Sequence, residues 1–255
     1  FGLVPRSVWE RYRRPDDRNR VPQALNCMLV KSEGKTILVD TGYGSKLPVK
    51  QQEIFGLNRQ GGLEESLRRI GVTPEDVDIV INTHLHGDHA GGSTKYEGDK
   101  LVPTFPKATY WIQEEEWEAA AHPNERTRAT YLPENFVPLV EHGVVRFVRG
   151  EVAVTPEVRT IIAPGHVHSL QLVLVASQGE SALFLSDLAQ VGIQMERLAW
   201  VAGYDIEPMV SIETKRRIMR QVAEDHTLLV FSHDAETPTG YLHREGETYR
   251  FEPLL

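Results

Sequence analysis

The chain has 255 residues, 40% of them hydrophobic and 25% charged, with a formal net charge of −8; this suits an ordinary soluble globular protein of one large domain or two small ones. No apolar run approaches the ~20 residues of a membrane span, and the acidic balance disfavours nucleic acid, whose partners carry a basic face. One cysteine, Cys27, cannot form an internal disulfide.

Residues 1–23 are polar and proline-bearing, and read as an arm lying on the body. Its basic residues Arg11, Arg13, Arg14, Arg18 and Arg20 are interleaved with Asp16 and Asp17 and read as a solvated segment. Cys27 lies in the apolar run Cys27-Met28-Leu29-Val30 and reads as a packing residue. A reduced, cytoplasmic setting is therefore expected, although a chain that starts at Phe1 leaves a preceding signal peptide open. Two strand-like runs, 26–30 and 35–40, flank the turn residues Ser32-Glu33-Gly34. Leu63, Leu67 and Ile70 keep helical spacing ahead of a stop at Gly71, and 77–83 is a short apolar strand. Residues 94–143 are mixed, with a strand over 109–112 and an acidic helix over 113–121.

The second half repeats this plan. Strands are expected over 144–148, 152–154, 158–163, 170–176 and 182–186, with a hairpin turn at Gln178-Gly179. An amphipathic helix over 213–224 presents Ile218, Met219 and Val222 on one side, and a strand over 227–231 follows. In each half a hairpin strand ends at an aspartate, Asp40 or Asp187. A helix then leads to a strand that ends at a histidine, His84 or His233. Hairpins with helices laid outside point to an α/β protein whose two sheets pack face to face, a four-layer αββα sandwich of two similar halves. All 255 residues are read as a single domain.

Residues 84–89 read His-Leu-His-Gly-Asp-His. Imidazole and carboxylate are the side chains that divalent transition metals take from proteins. In an extended segment, positions two apart point the same way, so His84 and His86 can grip one ion. The chain then turns at Gly87 and offers Asp88 and His89 in another direction. One ion would leave that pair idle; two would use all four groups. Three more groups stand at strand ends: His166 after Ala163-Pro164-Gly165, Asp187 after Leu183–Ser186, and His233 after Leu228–Ser232. Each alone reads as a turn residue, but together with residues 84–89 they complete a ligand set.

These motifs make the chain resemble a metallo-β-lactamase-fold hydrolase. The matching segments are Leu38-Val39-Asp40-Thr41-Gly42, Thr83–Gly92, Pro164-Gly165-His166, Ser186-Asp187 and Ser232-His233, in the family's order. The resemblance implies that His84, His86 and His166 hold one metal ion, that Asp88, His89 and His233 hold a second, and that Asp187 bridges the two. Asp88 and Asp187 are then the carboxylates at the reacting centre, and Asp40 stands behind the ligands and orients them. The implied cofactor is two divalent ions per chain, with zinc first and cobalt, manganese or iron also accepted by such ligands. A hydroxide between two such ions is available near neutral pH because the metals lower the pKa of water.

Within the family, the lactonase and methyl parathion hydrolase branch fits best. Cys27 is misplaced for a cysteine metal ligand, His86 stands where the flavodiiron branch has Glu, and only 22 residues follow His233. The arm and an insert over 103–143 near the active site resemble that branch. The implied substrate is a small apolar lactone or related ester, with phosphotriesters as a side activity. A glyoxalase-II-like thioester hydrolase and a mononuclear-iron, persulfide-dioxygenase-like protein are the alternatives. Homodimerisation through the arm and the insert is compatible with the resemblance. Two departures stand out: Gln190 replaces a tyrosine common in acyl-homoserine lactonases, and His168 follows His166 where Pro is usual. His168 reads as a surface or supporting group. Tyr110, Trp111, Trp117, Tyr131, Phe136, Met195 and Trp200 are candidates for an apolar pocket or for ordinary core.

Overall fold

The computed structural model describes residues 1–58 and 62–254. The chain divides into two compact units, Cys27–Arg149 and Gly150–Leu255, the latter joined by Phe1–Asn26. A single helical turn in the arm, α1 (Arg6–Trp9), belongs with the second unit.

The first unit runs β1 (Met28–Ser32), β2 (Lys35–Val39), α2 (Val49–Phe55), α3 (Leu63–Arg69), β3 (Ile79–Ile81), α4 (Gly87–Ala90), β4 (Thr94–Glu97), β5 (Lys100–Pro103), β6 (Thr109–Gln113), α5 (Glu114–Ala121), α6 (Val137–Glu141) and β7 (Val145–Val148). Its sheet has the order β1-β2-β3-β6-β7. The β1–β2 hairpin turns at Glu33 and Gly34, both with positive φ, and Ser32 pairs with Lys35. Strands β2, β3, β6 and β7 are parallel, with Val39 opposite Ile81. That register brings Asp40 and Thr83 to one carboxyl edge, the edge at which open parallel sheets place their ligand sites. Leu38, Val80, Tyr110 and Ile112 from these strands pack with Phe105 and Phe136 in one buried cluster. Residues 103–143 are woven into this unit, since they supply the interior strand β6.

The second unit runs β8 (Val158–Ile162), β9 (Gln171–Ser177), β10 (Glu180–Phe184), α7 (Gly192–Glu196), α8 (Pro208–Glu224), β11 (Leu228–Val230), β12 (Thr239–Glu245) and β13 (Thr248–Pro253). Its sheet order is β13-β12-β11-β10-β9-β8. Strands β10 and β11 are parallel with Phe184 opposite Val230, and β8 and β10 are both antiparallel to β9. The chain therefore leaves β8, β10 and β11 at one edge, towards His166, Asp187 and His233. Helix α8 buries Ile218, Met219 and Val222 in a cluster with Leu185, Leu229 and Phe231. Each such side chain contributes about 1.5–3 kcal/mol by leaving water.

The parallel between halves expected from sequence holds in the paired strand ends, β2/β3 and β10/β11. Several details differ. Helix α2 and the hairpins β4–β5 and β12–β13 were not anticipated. Residues 152–154 form no strand; Ala153 makes an isolated bridge to Arg159. The arm is not simply solvated: the Arg13 side chain is only 15% exposed and ion-paired with the buried Asp234. Phe1 stacks on Trp9 at 5.2 Å between ring centroids, and Phe1 and Tyr12 meet Trp200 edge-on at 6.0 and 5.4 Å. Trp200 is thereby packing, as are the fully buried Tyr110, Phe136 and Met195. No described helix is long and apolar enough to cross a membrane.

Candidate metal centre

In the first unit the four candidate ligands follow β3. His84 and His89 are buried, His86 is 5% exposed, and Asp88 lies in the first turn of α4. The rings of His84 and His86 are 4.6 Å apart between centroids, and those of His84 and His89 are 4.1 Å apart. His89 Nε2 is 3.9 Å from Asp88 Oδ2.

One carboxylate organises this group. Asp40 has φ +58°, a left-handed conformation that aspartate adopts more readily than most residues. Its Oδ1 accepts the Thr83 backbone N–H at 2.8 Å, and its Oδ2 accepts the Thr83 hydroxyl and His89 Nδ1, each at 2.8 Å. With its proton committed to Asp40, the Thr83 oxygen accepts from His84 Nδ1 at 3.1 Å. Asp40 thus fixes the tautomers of His89 directly and of His84 through Thr83, turning Nε2 of each into the lone-pair donor a metal needs.

The loop after Asp40 straps α4. Thr41 donates its N–H and its hydroxyl to the His89 carbonyl at 2.7 and 2.9 Å, and Gly92 N–H donates to the Gly42 carbonyl at 2.9 Å. A Cβ on Gly92 would fall 2.2 Å from the Thr41 carbonyl oxygen, so the glycine that closes the motif permits this close approach.

Sequence reasoning missed Glu116, which it placed only within an acidic helix. Glu116 is buried and accepts the Leu85 backbone N–H, between His84 and His86, at 2.8 Å. The Tyr131 ring lies 5.0 Å from that of His86. Burial, and then Glu116, hold the Tyr131 phenol well above the usual tyrosine range.

In the second unit His166, Asp187 and His233 are buried. Ser186, just before Asp187, has φ +46°, the counterpart of the left-handed Asp40. His166 Nδ1 donates to Asp205 Oδ1 at 3.0 Å, and His233 Nδ1 donates to the Ala24 carbonyl at 2.9 Å. Each Nε2 then faces a different oxygen of one carboxylate: His166 lies 3.3 Å from Asp187 Oδ2, and His233 lies 3.0 Å from Asp187 Oδ1. Ser232 Oγ donates to Oδ1 at 3.3 Å and Gln190 Nε2 to Oδ2 at 2.8 Å.

With Nδ1 carrying the proton, each Nε2 sets a lone pair against an anionic oxygen. A proton or a metal cation must lie between them, and two such gaps open on the two oxygens of Asp187. The donor set therefore fits divalent ions on chemical grounds, and the histidines and aspartates of the described residues include groups of three able to hold a metal ion.

Asp205 was not anticipated, because it stands in a loop with no motif around it. Two backbone bonds carry that loop back to His166: Ile206 N–H to the His166 carbonyl at 3.1 Å, and Glu207 N–H to the Gly165 carbonyl at 2.9 Å. Gly165 has φ +141°, and a Cβ there would lie 2.3 Å from Ser211 Oγ. His168 is exposed, with Nδ1 3.3 Å from Glu207 Oε2, which makes it a surface group.

Residues 20–233 match the sequence pattern of the metallo-beta-lactamase superfamily. An N-acyl homoserine lactonase of Bacillus cereus is 28% identical over 225 residues, which is 84% of this chain and 82% of that protein. A probable metal-dependent hydrolase from Staphylococcus aureus superposes with a TM-score of 0.91 at 25% identity, over 100% of this chain and 90% of that one. An N-acyl homoserine lactone hydrolase, solved with N-hexanoyl-L-homoserine bound at its catalytic metal centre, superposes at 0.68 with 25% identity over 84% and 82%. The matched span covers most of the chain and every motif quoted above: the chain belongs to the metallo-beta-lactamase superfamily.

Proposed function

We propose that the chain is a dinuclear metal-dependent hydrolase that opens a lactone or cleaves a related carboxylic ester. The observation that carries this reading is the pair of imidazole Nε2 atoms set against opposite oxygens of Asp187. Bacterial relatives that are N-acyl homoserine lactonases support the ester class. His84, His86 and His166 would hold one ion and Asp88, His89 and His233 the other, with Asp187 between them.

The ions, when bound, supply Lewis acidity and lower the pKa of water. The protein's own part is orientation and proton handling. Asp40, Asp205 and the Ala24 carbonyl fix three imidazoles in the ligating tautomer before any metal arrives. Asp88, whose side chain is 28% exposed against 2% for His89, is the carboxylate open to solvent and takes the proton of the attacking water. Water adds to the carbonyl carbon, the ring C–O bond breaks, and the leaving oxygen receives the proton to give a hydroxy acid. Gln190, bonded to Asp187 where a tyrosine is common in acyl-homoserine lactonases, favours a lactone or ester class broader than acyl-homoserine lactones.

The test is metal analysis combined with a substrate panel on metal-loaded protein: acyl-homoserine lactones, simple lactones, aryl esters, thioesters and phosphotriesters. Two ions per chain and preferential turnover of lactones or esters are expected. A single iron with oxygen uptake on a persulfide, or preference for a thioester, would overturn the reading.

A further inference from the structure

We infer that Arg13, in the N-terminal arm, is a positioning residue for His233, and that the arm is a working part of the metal centre. This rests on the dinuclear reading above and goes beyond it. Five hydrogen bonds tie the arm to the chain around His233. Ala24 N–H donates to the His233 carbonyl at 3.1 Å, and the Ala24 carbonyl accepts His233 Nδ1 at 2.9 Å. Asn26 N–H donates to the Ser232 carbonyl at 2.8 Å, and its side-chain amide donates to the Phe231 and Asp234 carbonyls, both at 3.0 Å. His233 is thus gripped at backbone and ring by a strand-like segment over 200 residues away in sequence.

Arg13 supplies the other half of the grip. Asp234 follows His233 directly and its side chain is fully buried. Arg13 Nη2 donates to both of its oxygens at 2.8 and 2.9 Å, and Nη1 donates to Glu236 at 3.1 Å. The same carboxylate accepts the backbone N–H groups of Glu236 and Thr237 at 3.1 and 3.0 Å and the Thr237 hydroxyl at 3.0 Å, which shapes the 233–238 turn. It also accepts Gly192 N–H at 3.1 Å, at the start of α7, five residues past Asp187. A buried carboxylate left without its cation is strongly unfavourable. Guanidinium meets this need with a planar fork that lysine lacks. Removing Arg13 leaves Asp234 to seek solvent, and the turn that aims His233 relaxes with it. An outer partner of a metal ligand acts through the ligand's orientation, and its loss lowers metal affinity by about 10–100-fold.

The experiment titrates metal-free full-length protein with zinc against a chromophoric chelator. Parent protein is expected to show two binding steps, and His233→Ala identifies which step depends on His233. Arg13→Met is expected to weaken that step by about 10–100-fold and leave the other within about twofold. Arg13→Lys, which keeps the charge and loses the fork, falls between, and Arg6→Met, from the exposed Arg6–Glu10 pair, matches parent.

Equal affinities in parent and Arg13→Met would overturn the inference. So would an Arg13→Met loss that falls equally on both steps and tracks a drop in Tm, which marks a merely structural role. If Arg13→Met does not fold, Arg13→Lys carries the same comparison. A parent that binds only one ion instead removes the dinuclear reading, an outcome separate from either.

Discussion

The two halves of the molecule position their candidate ligands by opposite routes. In the Cys27–Arg149 half, four candidate ligands lie within six residues, and the carboxylate that orients them, Asp40, ends the neighbouring strand. In the other half, His166, Asp187 and His233 leave three different strands. Their supports come from a loop (Asp205), from the arm (Ala24, Arg13) and from Gln190. The first half concentrates its support, because one aspartate sets two histidine tautomers. The second half distributes it, with separate supports for each candidate ligand. A local motif tolerates a simple scaffold, whereas dispersed ligands need long-range contacts that hold each strand end in register.

The largest test of that comparison removes a ligand from each half. His84→Ala should cost at least one ion per chain and lower turnover by more than the ~10–100-fold typical of losing an outer partner. His166→Ala should cost as much, because the two are proposed to share an ion. Full metal content in either variant, read by metal analysis of the purified protein, would sink the assignment.

A smaller effect separates the two styles of support. Asp40→Asn should weaken both metal steps, since Asp40 serves His89 and, through Thr83, His84. Asp205→Asn should weaken one step only, with losses of ~10–100-fold as the upper range for each. Competition titration reads both. An Asp205→Asn loss on both steps, or one exceeding that of Asp40→Asn, would dissolve the distinction between concentrated and distributed support.

The same contrast explains what was legible in the sequence. The His84–His89 cluster is dense enough to point to a metal site from ligand chemistry alone. The repeated plan of hairpin, helix and strand led from it to Asp187 and His233. The supporting groups were hidden because their partners are far away in the chain. Glu116 reads as one acid among three at the start of α5, and Asp205 as a loop residue. Arg13 reads as part of a charge-mixed surface arm until Asp234 is seen buried beneath it. Periodicity reports which face of an element is apolar, and it carries nothing about which carboxylate meets which ring. Among the aromatics of 103–143, Tyr110 and Phe136 belong to the core, and this was hidden for the same reason. Tyr110 and Phe136 are bulky enough for either role, and only the strand order, with β6 interior, assigns them to the core.

The smallest predicted effect concerns a lysine in each half that caps backbone carbonyls. Lys46 donates to the carbonyl oxygens of Gly91 and, at 2.6 Å, Thr94, just past the histidine motif. Lys215, fully buried in α8, donates to the carbonyls of Arg197, Leu198 and Trp200 at 3.2, 3.1 and 2.8 Å, in the loop that leads to Asp205. Burial pulls the Lys46 amine down to about 8 and the Lys215 amine to about 7; Glu134 opposes the first shift and Asp205 the second. The ordinary value of 10.5 applies in the unfolded chain. Between pH 7 and 10.5, therefore, the unfolded chain holds a proton that folded Lys215 has released, and stability rises with pH across that window. For Lys46 the rise starts only near pH 8. Urea midpoints at pH 6.5 and 9.5 on metal-loaded protein should show the increase. Lys215→Met should flatten it more than Lys46→Met does, whatever either substitution does to the midpoint itself. The three carbonyls around Lys215 match the three N–H bonds of an ammonium, so they pull against burial. If they prevail, the pH slope of the Lys215→Met variant equals that of the parent, and the amine stays charged through the whole window.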